Sequence, residues 1–347
     1  MRKSLLSVFL IIILITSLVM AENYNLDTVI TQTANYIQAT VKEPQVSSIG
    51  GEWTIVGLAR SEMDIPKKYF EKYYQIVENY VKERNGVLHS RKYTEYSRVI
   101  LAVTAIRKNP ENVGGYNLLI PLGDFEKTVW QGINGPVWAL IALDSGKYSI
   151  PENKDAKVQA TRDMYVDYIL KRQNSDGGWA LSENMSSEID VTAMALQALS
   201  NYRHTEKVEK AVKKALVMLQ NSQNENGGFS ASGSASCESS AQVLTALCML
   251  GIDYNSHEFT KNGRTVLDDI LAYHTGKGFR HIKNGEENQM ATEQAFYSLV
   301  ALDRYKKGKP NLYAMADKKI CFPQKYIWIF PHNIQSIIEL LKRVEVK

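Results

Sequence analysis

Five acidic residues stand at or near the starts of apolar segments: Glu52, Glu95, Asp190, Glu238 and Glu293. A carboxylate so placed can do three things. Two of them facing each other in an aromatic-lined cleft perform acid–base work on a glycosidic bond. One alone at the head of a dry cavity acts as a strong, protonated acid. Any acid in a first helical turn is also stabilised by the helix dipole with no ligand involved. Trp53, Trp179 and Phe229 lie close to these acids in the chain. If the segment starts gather at one rim, the resulting acidic, aromatic mouth suits a sugar, a corrin-like ring or a cationic ligand. The remaining chemistry is sparse. Cys237, Cys248 and Cys321 are too few and too scattered for a disulfide framework. The six histidines show no helical pairing with acids or thiols, so no zinc or other metal site is expected.

The elements that would hold these residues repeat. The stretch QNSDGGWALSENMSSEIDVTAMALQAL from Gln173 restarts at Gln220 as QNSQNENGGFSASGSASCESSAQVLTALCMLGID, and a weaker copy begins at Gly276. Trp179, Phe229 and Phe279 fall at an even step of about 50 residues, the mark of a repeat architecture. Six segments apolar on every side begin near Glu52, Glu95, Asn134, Asp190, Ser239 and Thr292. They alternate with six more polar ones, over 25–42, 65–84, 114–123, 155–172, 205–222 and 263–274, most of which carry a single apolar stripe. A helix apolar all round must be enclosed by protein, whereas a striped one faces water. An inner ring of helices inside an outer ring satisfies both, so the expected fold is an all-α (α/α)6 toroid of six helical hairpins. An open array of helix pairs is the alternative. Each Gly-Gly turn is expected to end its outer helix in a left-handed conformation.

The segments GGWALSENMSSEIDVTAMALQAL, GGFSASGSASCESSAQVLTAL and TEQAFYSLVAL resemble the prenyltransferase and squalene-cyclase repeats of the terpenoid cyclase/protein prenyltransferase toroid superfamily. They look in particular like secreted bacterial toroids related to the helical domain of intrinsic factor and transcobalamin. The resemblance is specific from about Tyr165 to Tyr305 and general from Asn25 to Gly146.

The resemblance implies several chemistries. In a class II terpene cyclase the middle aspartate of an Asp-x-Asp-Asp-Thr-Ala box protonates an alkene. Here the run is Glu188-Ile189-Asp190-Val191-Thr192-Ala193, which leaves Asp190 as the acid and puts Val191 where the last aspartate belongs. Those cyclases resemble two toroids around one active site, and this chain has residues for one. Ser187 as N-cap with Asp190 three residues on is close to a capping box and accounts for the same acid. The zinc site of protein prenyltransferases is not matched, because Ala235 and Thr292-Glu293-Gln294 replace its aspartate and histidine regions around Cys237. No Cys-Gly-Glu-Gln thioester run occurs. Similarity to the cobalamin carriers implies a corrinoid ligand at one end of the toroid, on Asp190, Thr192, Gln242, Glu293 and Gln294. The expected role is therefore binding of a small molecule or a cell-surface partner without turnover. An isoprenoid cyclase using Asp190 and a carbohydrate-active (α/α)6 enzyme are the alternatives.

Arg2 and Lys3 precede an uncharged run, Ser4 to Ala21, that reads as a secretory signal with Val19-Met20-Ala21 as its cleavage box. An uncleaved anchor is the other reading, since about 18 apolar residues approach spanning length. The chain is expected outside the cell or at its surface, and touches a membrane only if that segment is retained. Its loss lowers the formal charge from +4 to +2. With Lys+Arg at 41 and Asp+Glu at 37, no nucleic-acid partner is indicated. The expected layout is a signal over 1–21, the toroid over 25–305, and a linker and tail over 306–347 with one amphipathic helix from Asn333.

Overall fold

The structure is a computed structural model that describes residues 25–231 and 234–316. The signal segment, the tail helix and Cys321 lie outside the described residues. Among the described residues there are twelve α-helices. We number them α1 (Leu26–Thr40), α2 (Glu52–Arg60), α3 (Lys67–Glu83), α4 (Thr94–Ala105), α5 (Phe125–Val129), α6 (Asn134–Ser145), α7 (Arg162–Lys171), α8 (Ile189–Leu199), α9 (Glu206–Ser222), α10 (Cys237–Leu250), α11 (Val266–Leu271) and α12 (Gln289–Lys306). None is long and apolar enough to cross a membrane.

Apolar content decides which ring each helix joins. Thirteen of the fourteen residues of α10 are buried, against five of the seventeen in α9, which buries only Val208, Ala211, Val212, Ala215 and Leu219. The even-numbered helices form the inner ring: α2 packs on α4, α4 on α6, α6 on α8, α8 on α10, α10 on α12, and α12 back on α2. That last contact closes the ring and excludes an open array. Glu293 of α12 fastens the seam, accepting from the backbone N–H of Gly50 at 2.5 Å and from the Thr54 hydroxyl at 3.0 Å.

The outer ring departs from expectation in three places. The third outer segment is not helical over 114–123; a 3-10 turn at Ile120–Gly123 leads into the short α5. The fourth begins at Arg162 rather than Asp155, because Thr161 caps it by accepting the Met164 N–H at 3.2 Å. The sixth shrinks to α11. Asn262-Gly263 forms a hairpin turn between β3 (Thr260–Lys261) and β4 (Arg264–Thr265), and Thr265 with Asp268 then makes a capping box. A second hairpin pairs β1 (Ser230–Ala231) with β2 (Ser234–Ala235). These are minor additions to an all-α toroid.

The repeat turns also differ from expectation. The helices α7 and α9 end at Lys171 and Ser222, and the left-handed glycines come later, Gly177 at φ +95° and Gly227 at φ +83°. They close a small loop instead of capping a helix. Asn174 and Asn224 donate to the carbonyls of Gly178 and Gly228 at 2.9 Å, and Gly177 and Gly227 donate back to Asn174 and Asn224. The aromatic that follows is driven between the helix rings, and Trp179, Phe229 and Phe279 are all fully buried. An inner-helix hydroxyl receives the N–H of each: Thr192 at 2.9 Å, Ser240 at 3.1 Å and Thr292 at 2.9 Å.

Residues beyond α12 do not leave the toroid as the expected linker would. Leu312, Tyr313 and Met315 are buried, so residues 310–316 form a plug across the C-terminal ends of the inner helices. Arg60 holds it, donating to the carbonyls of Leu312 at 2.8 Å and of Asn311 and Ala314 at 2.9 Å. The Met315 N–H donates to Ser145 at 2.7 Å.

Candidate binding site at the mouth of the toroid

At the opposite end, inside the N-terminal turns of the inner helices, lies a cavity of about 350 Å³. Its floor is aromatic. Trp53 packs against Trp138 with centroids 4.9 Å apart and against Tyr297 at 5.8 Å, and Trp138 meets the plug edge-on through Tyr313. Four side-chain amides surround this floor, Gln131, Asn134, Gln242 and Gln294, together with the Glu95–Arg98 ion pair, Lys92, Thr94 and Met194.

The polar groups are pre-oriented by one another. Gln242 Nε2 donates to Tyr297 Oη at 2.6 Å and to Gln294 Oε1 at 2.9 Å. Gln131 Oε1 accepts the Thr94 backbone N–H at 3.0 Å. Arg98 Nη2 donates to Glu95 Oε2 at 2.7 Å, while Arg98 Nε and Asn134 Oδ1 have no partner. Burial works against the guanidinium charge, yet Glu52 and Glu95 outweigh it and hold the Arg98 pKa above its ordinary value.

The sequence-identified residues divide into three groups. Trp53, Glu95, Gln242 and Gln294 line the cavity. Glu52, Glu293, Trp179 and Thr192 do not, since each is consumed by the scaffold. The buried Glu52 accepts from the Ser47 N–H at 2.8 Å; burial pushes its carboxyl up to about 7, with Arg98 pulling the other way. The carboxyl of Glu293 is likewise raised by burial, against hydrogen bonds from Gln289, Thr54 and Gly50. Trp179 Nε1 donates to the Ile169 carbonyl at 2.7 Å, and Thr192 serves the turn.

Asp190 and Glu238 form the third group, on the α8–α10 seam beside the cavity. Glu238 is bridged by His281 Nδ1 at 2.8 Å. The half-buried Asp190 has its carboxyl raised by burial; the Ser239 hydroxyl opposes this, and the charges of Glu238 and Glu188 add to it. Its Oδ1 has no partner. The capping box does not form. Glu188, not Ser187, is the N-cap of α8 and makes no side-chain cap. Ser187 Oγ is committed to the preceding turn, donating to Asp176 at 2.7 Å and accepting from Asn174 at 3.0 Å.

Sequence reasoning missed Arg98, Trp138, Tyr297, Gln131 and Asn134. One signal was present: Arg98 is the only basic residue inside the apolar segment EYSRVILAVTAI. A charge there must face a polar interior. Among the described residues no group of three or more His, Cys, Asp or Glu side chains is placed to hold a metal ion.

No protein-family model matches the chain, and no curated protein matches it in sequence. Solved structures do match in shape. Candida albicans protein geranylgeranyltransferase-I, complexed with GGPP, aligns with a TM-score of 0.57 at 12% identity, over 84% of this chain and 99% of its own. A variant of the type II terpene cyclase MstE from Scytonema gives 0.54 at 14% identity, over 82% of this chain and 99% of the cyclase. A second variant of that cyclase, in complex with its product merosterolic acid A, gives 0.53 at 13% identity over the same shares. The chain thus has the α/α toroid fold found in terpenoid cyclases and protein prenyltransferases.

Proposed function

We propose that this chain is a non-catalytic binding protein, exported from the cell, that holds a small polar ring of monosaccharide size in the mouth of its toroid. One observation carries the reading: four side-chain amides and an Arg–Glu pair surround a floor of Trp53, Trp138 and Tyr297. Aromatic faces with several fixed donors and acceptors around them suit a ring rich in hydroxyls. Arg98 and Lys92 outnumber Glu95 in the lining, which disfavours a cationic ligand. The cavity lies near the small end of ligand pockets, which run from about 300 to about 1,000 Å³, and this favours a sugar over a corrin ring. The basic N-terminus and apolar run of residues 2–21 support export.

A second reading, an isoprenoid cyclase, draws support from Asp190, whose raised carboxyl carries an unpartnered oxygen beside the cavity. The polar lining weighs against it, since the amide and carboxylate oxygens of Gln131, Asn134, Gln242, Gln294 and Glu95 are nucleophiles that trap a carbocation. Asp190→Asn separates the two readings. A cyclase would lose turnover of an isoprenoid substrate while remaining folded, whereas a binding protein shows at most a change in affinity. Native mass spectrometry of the full-length protein, as purified and after incubation with hexoses, hexosamines and cyanocobalamin, tests the proposal. A retained or acquired sugar, released unchanged, is the expected result. Exclusive uptake of cyanocobalamin, or binding of none of these, would overturn it.

A further inference from the structure

A second cavity, of about 540 Å³, lies at the other end of the toroid, walled by the last turns of α6, α8 and α10 and by the plug. Its character differs from that of the mouth. Ile141, Ala198 and Met249 and the rings of Tyr148, Tyr202 and Tyr313 supply a mainly apolar wall. Two of its three charges neutralise each other, the third being the exposed Lys147: Arg162 Nε donates to Asp144 Oδ1 at 2.9 Å, Arg162 Nη2 to the Tyr148 carbonyl at 2.6 Å, and Asn201 Nδ2 to Asp144 Oδ2 at 3.4 Å.

Gln197 breaks this pattern. It lines the cavity, is only 1% exposed, and its Oε1 has no hydrogen-bond partner. The orientation of the amide is fixed, because its Nε2 donates to both the carbonyl and Oε1 of Gln242, at 3.2 and 2.9 Å. Turning it over would set an oxygen against two acceptors. The unsatisfied atom is therefore an acceptor. A second buried atom in the same wall, the hydroxyl of Tyr313, also lacks a partner. Nearly all buried polar atoms in folded proteins are paired, and an exception needs a cause: strain, a water or ion, or a bound ligand.

We propose that this cavity is a second ligand site, taking a compact, largely apolar ring compound that donates one hydrogen bond, from N–H or O–H, to Gln197 Oε1. The inference is independent of the sugar reading, since the two cavities share no lining residue. A site with a buried acceptor discriminates strongly against an analogue lacking the donor, which leaves that acceptor desolvated and unpaired.

Indole and 1-methylindole provide the test: the same apolar bicycle with and without the N–H. The full-length protein is titrated with each by ligand-observed NMR and calorimetry. Saturable one-to-one binding of indole is expected, with 1-methylindole at least about tenfold weaker, the equivalent of one net hydrogen bond. Met249→Trp, which fills the cavity, abolishes indole binding while the thermal melt stays cooperative. Should that variant fold poorly, Asn201→Trp at the exposed lip blocks entry without touching the core. Equal affinity for the two compounds, no saturable indole binding, or binding that survives Met249→Trp and Asn201→Trp but is lost in Trp53→Ala would each overturn the proposal.

Discussion

Glu52 shows how a helix-start acid is turned to another purpose by its surroundings. Its carboxyl is enclosed, one oxygen accepting from Ser47 and the other unpartnered, and burial lifts it to about 7. The folded protein therefore holds this proton more tightly than the unfolded chain does. The associated stabilisation is complete below the ordinary carboxylate value of 4.5 and is lost as pH rises through about 7. A shift of that size corresponds to about 3 kcal/mol. Urea unfolding at pH 5 and pH 8 should show wild type losing about 2–3 kcal/mol more across that interval than Glu52→Gln, which keeps an acceptor for Ser47 and has no proton to lose. Asp190 and Glu293 shift in the same direction but are present in both proteins and cancel. Identical pH dependence would show that Glu52 is hydrated or paired. The five acids were legible in the sequence from their places in the chain. Their division between cavity and seam was not, because it depends on which neighbouring helix each side chain meets across the ring.

At the scale of the element, the Gly-aromatic turn and its receiving hydroxyl form one device used three times, twice as Gly-Gly-aromatic and once as Gly276-Lys277-Gly278-Phe279. The even step between Trp179, Phe229 and Phe279 exposed the repeat, and the alternation of enclosed and striped segments exposed the two rings. Helix boundaries were less legible where turn chemistry cut into a striped segment, as Asn262-Gly263 and Thr161 do. The hydroxyl's role was also hidden, because Thr192 reads equally well as a rim residue. Thr192→Val should leave the Trp179 N–H buried and unpaired and cost about 1–3 kcal/mol in chemical unfolding. Ligand affinity at the mouth should stay unchanged; an affinity loss with stability intact would return Thr192 to the site. Gly177→Ala should be at least as damaging, about 2 kcal/mol or more by thermal melt, since its φ of +95° and the Lys214 carbonyl 2.6 Å from the added Cβ both oppose a side chain.

Across the whole molecule, closure makes the site. Glu293 joins the last inner helix to the first, and the plug held by Arg60 seals the far end, so the aromatic floor of the mouth rests on Tyr313. The plug was illegible because KKGKPNLYAMADKK has the Pro, Gly and lysine content of a linker, and only Leu312, Tyr313 and Met315 betray it. Arg60→Met removes charge-assisted donors to four plug carbonyls, those of Pro310, Asn311, Leu312 and Ala314, and should cost about 3 kcal/mol. Hydrogen exchange should then accelerate over residues 310–316 ahead of the inner helices; unchanged protection there would mean that packing alone holds the plug. A polar ring held in the toroid mouth would be seen by saturation-transfer NMR of the wild-type protein with a monosaccharide panel, repeated on Trp53→Ala, Gln294→Ala and, as a control at the far end, Met249→Trp. Transfer to at least one unmodified sugar is expected, lost in the first two variants and retained in the third. No transfer to any sugar, or transfer indifferent to Trp53 and Gln294, would contradict it.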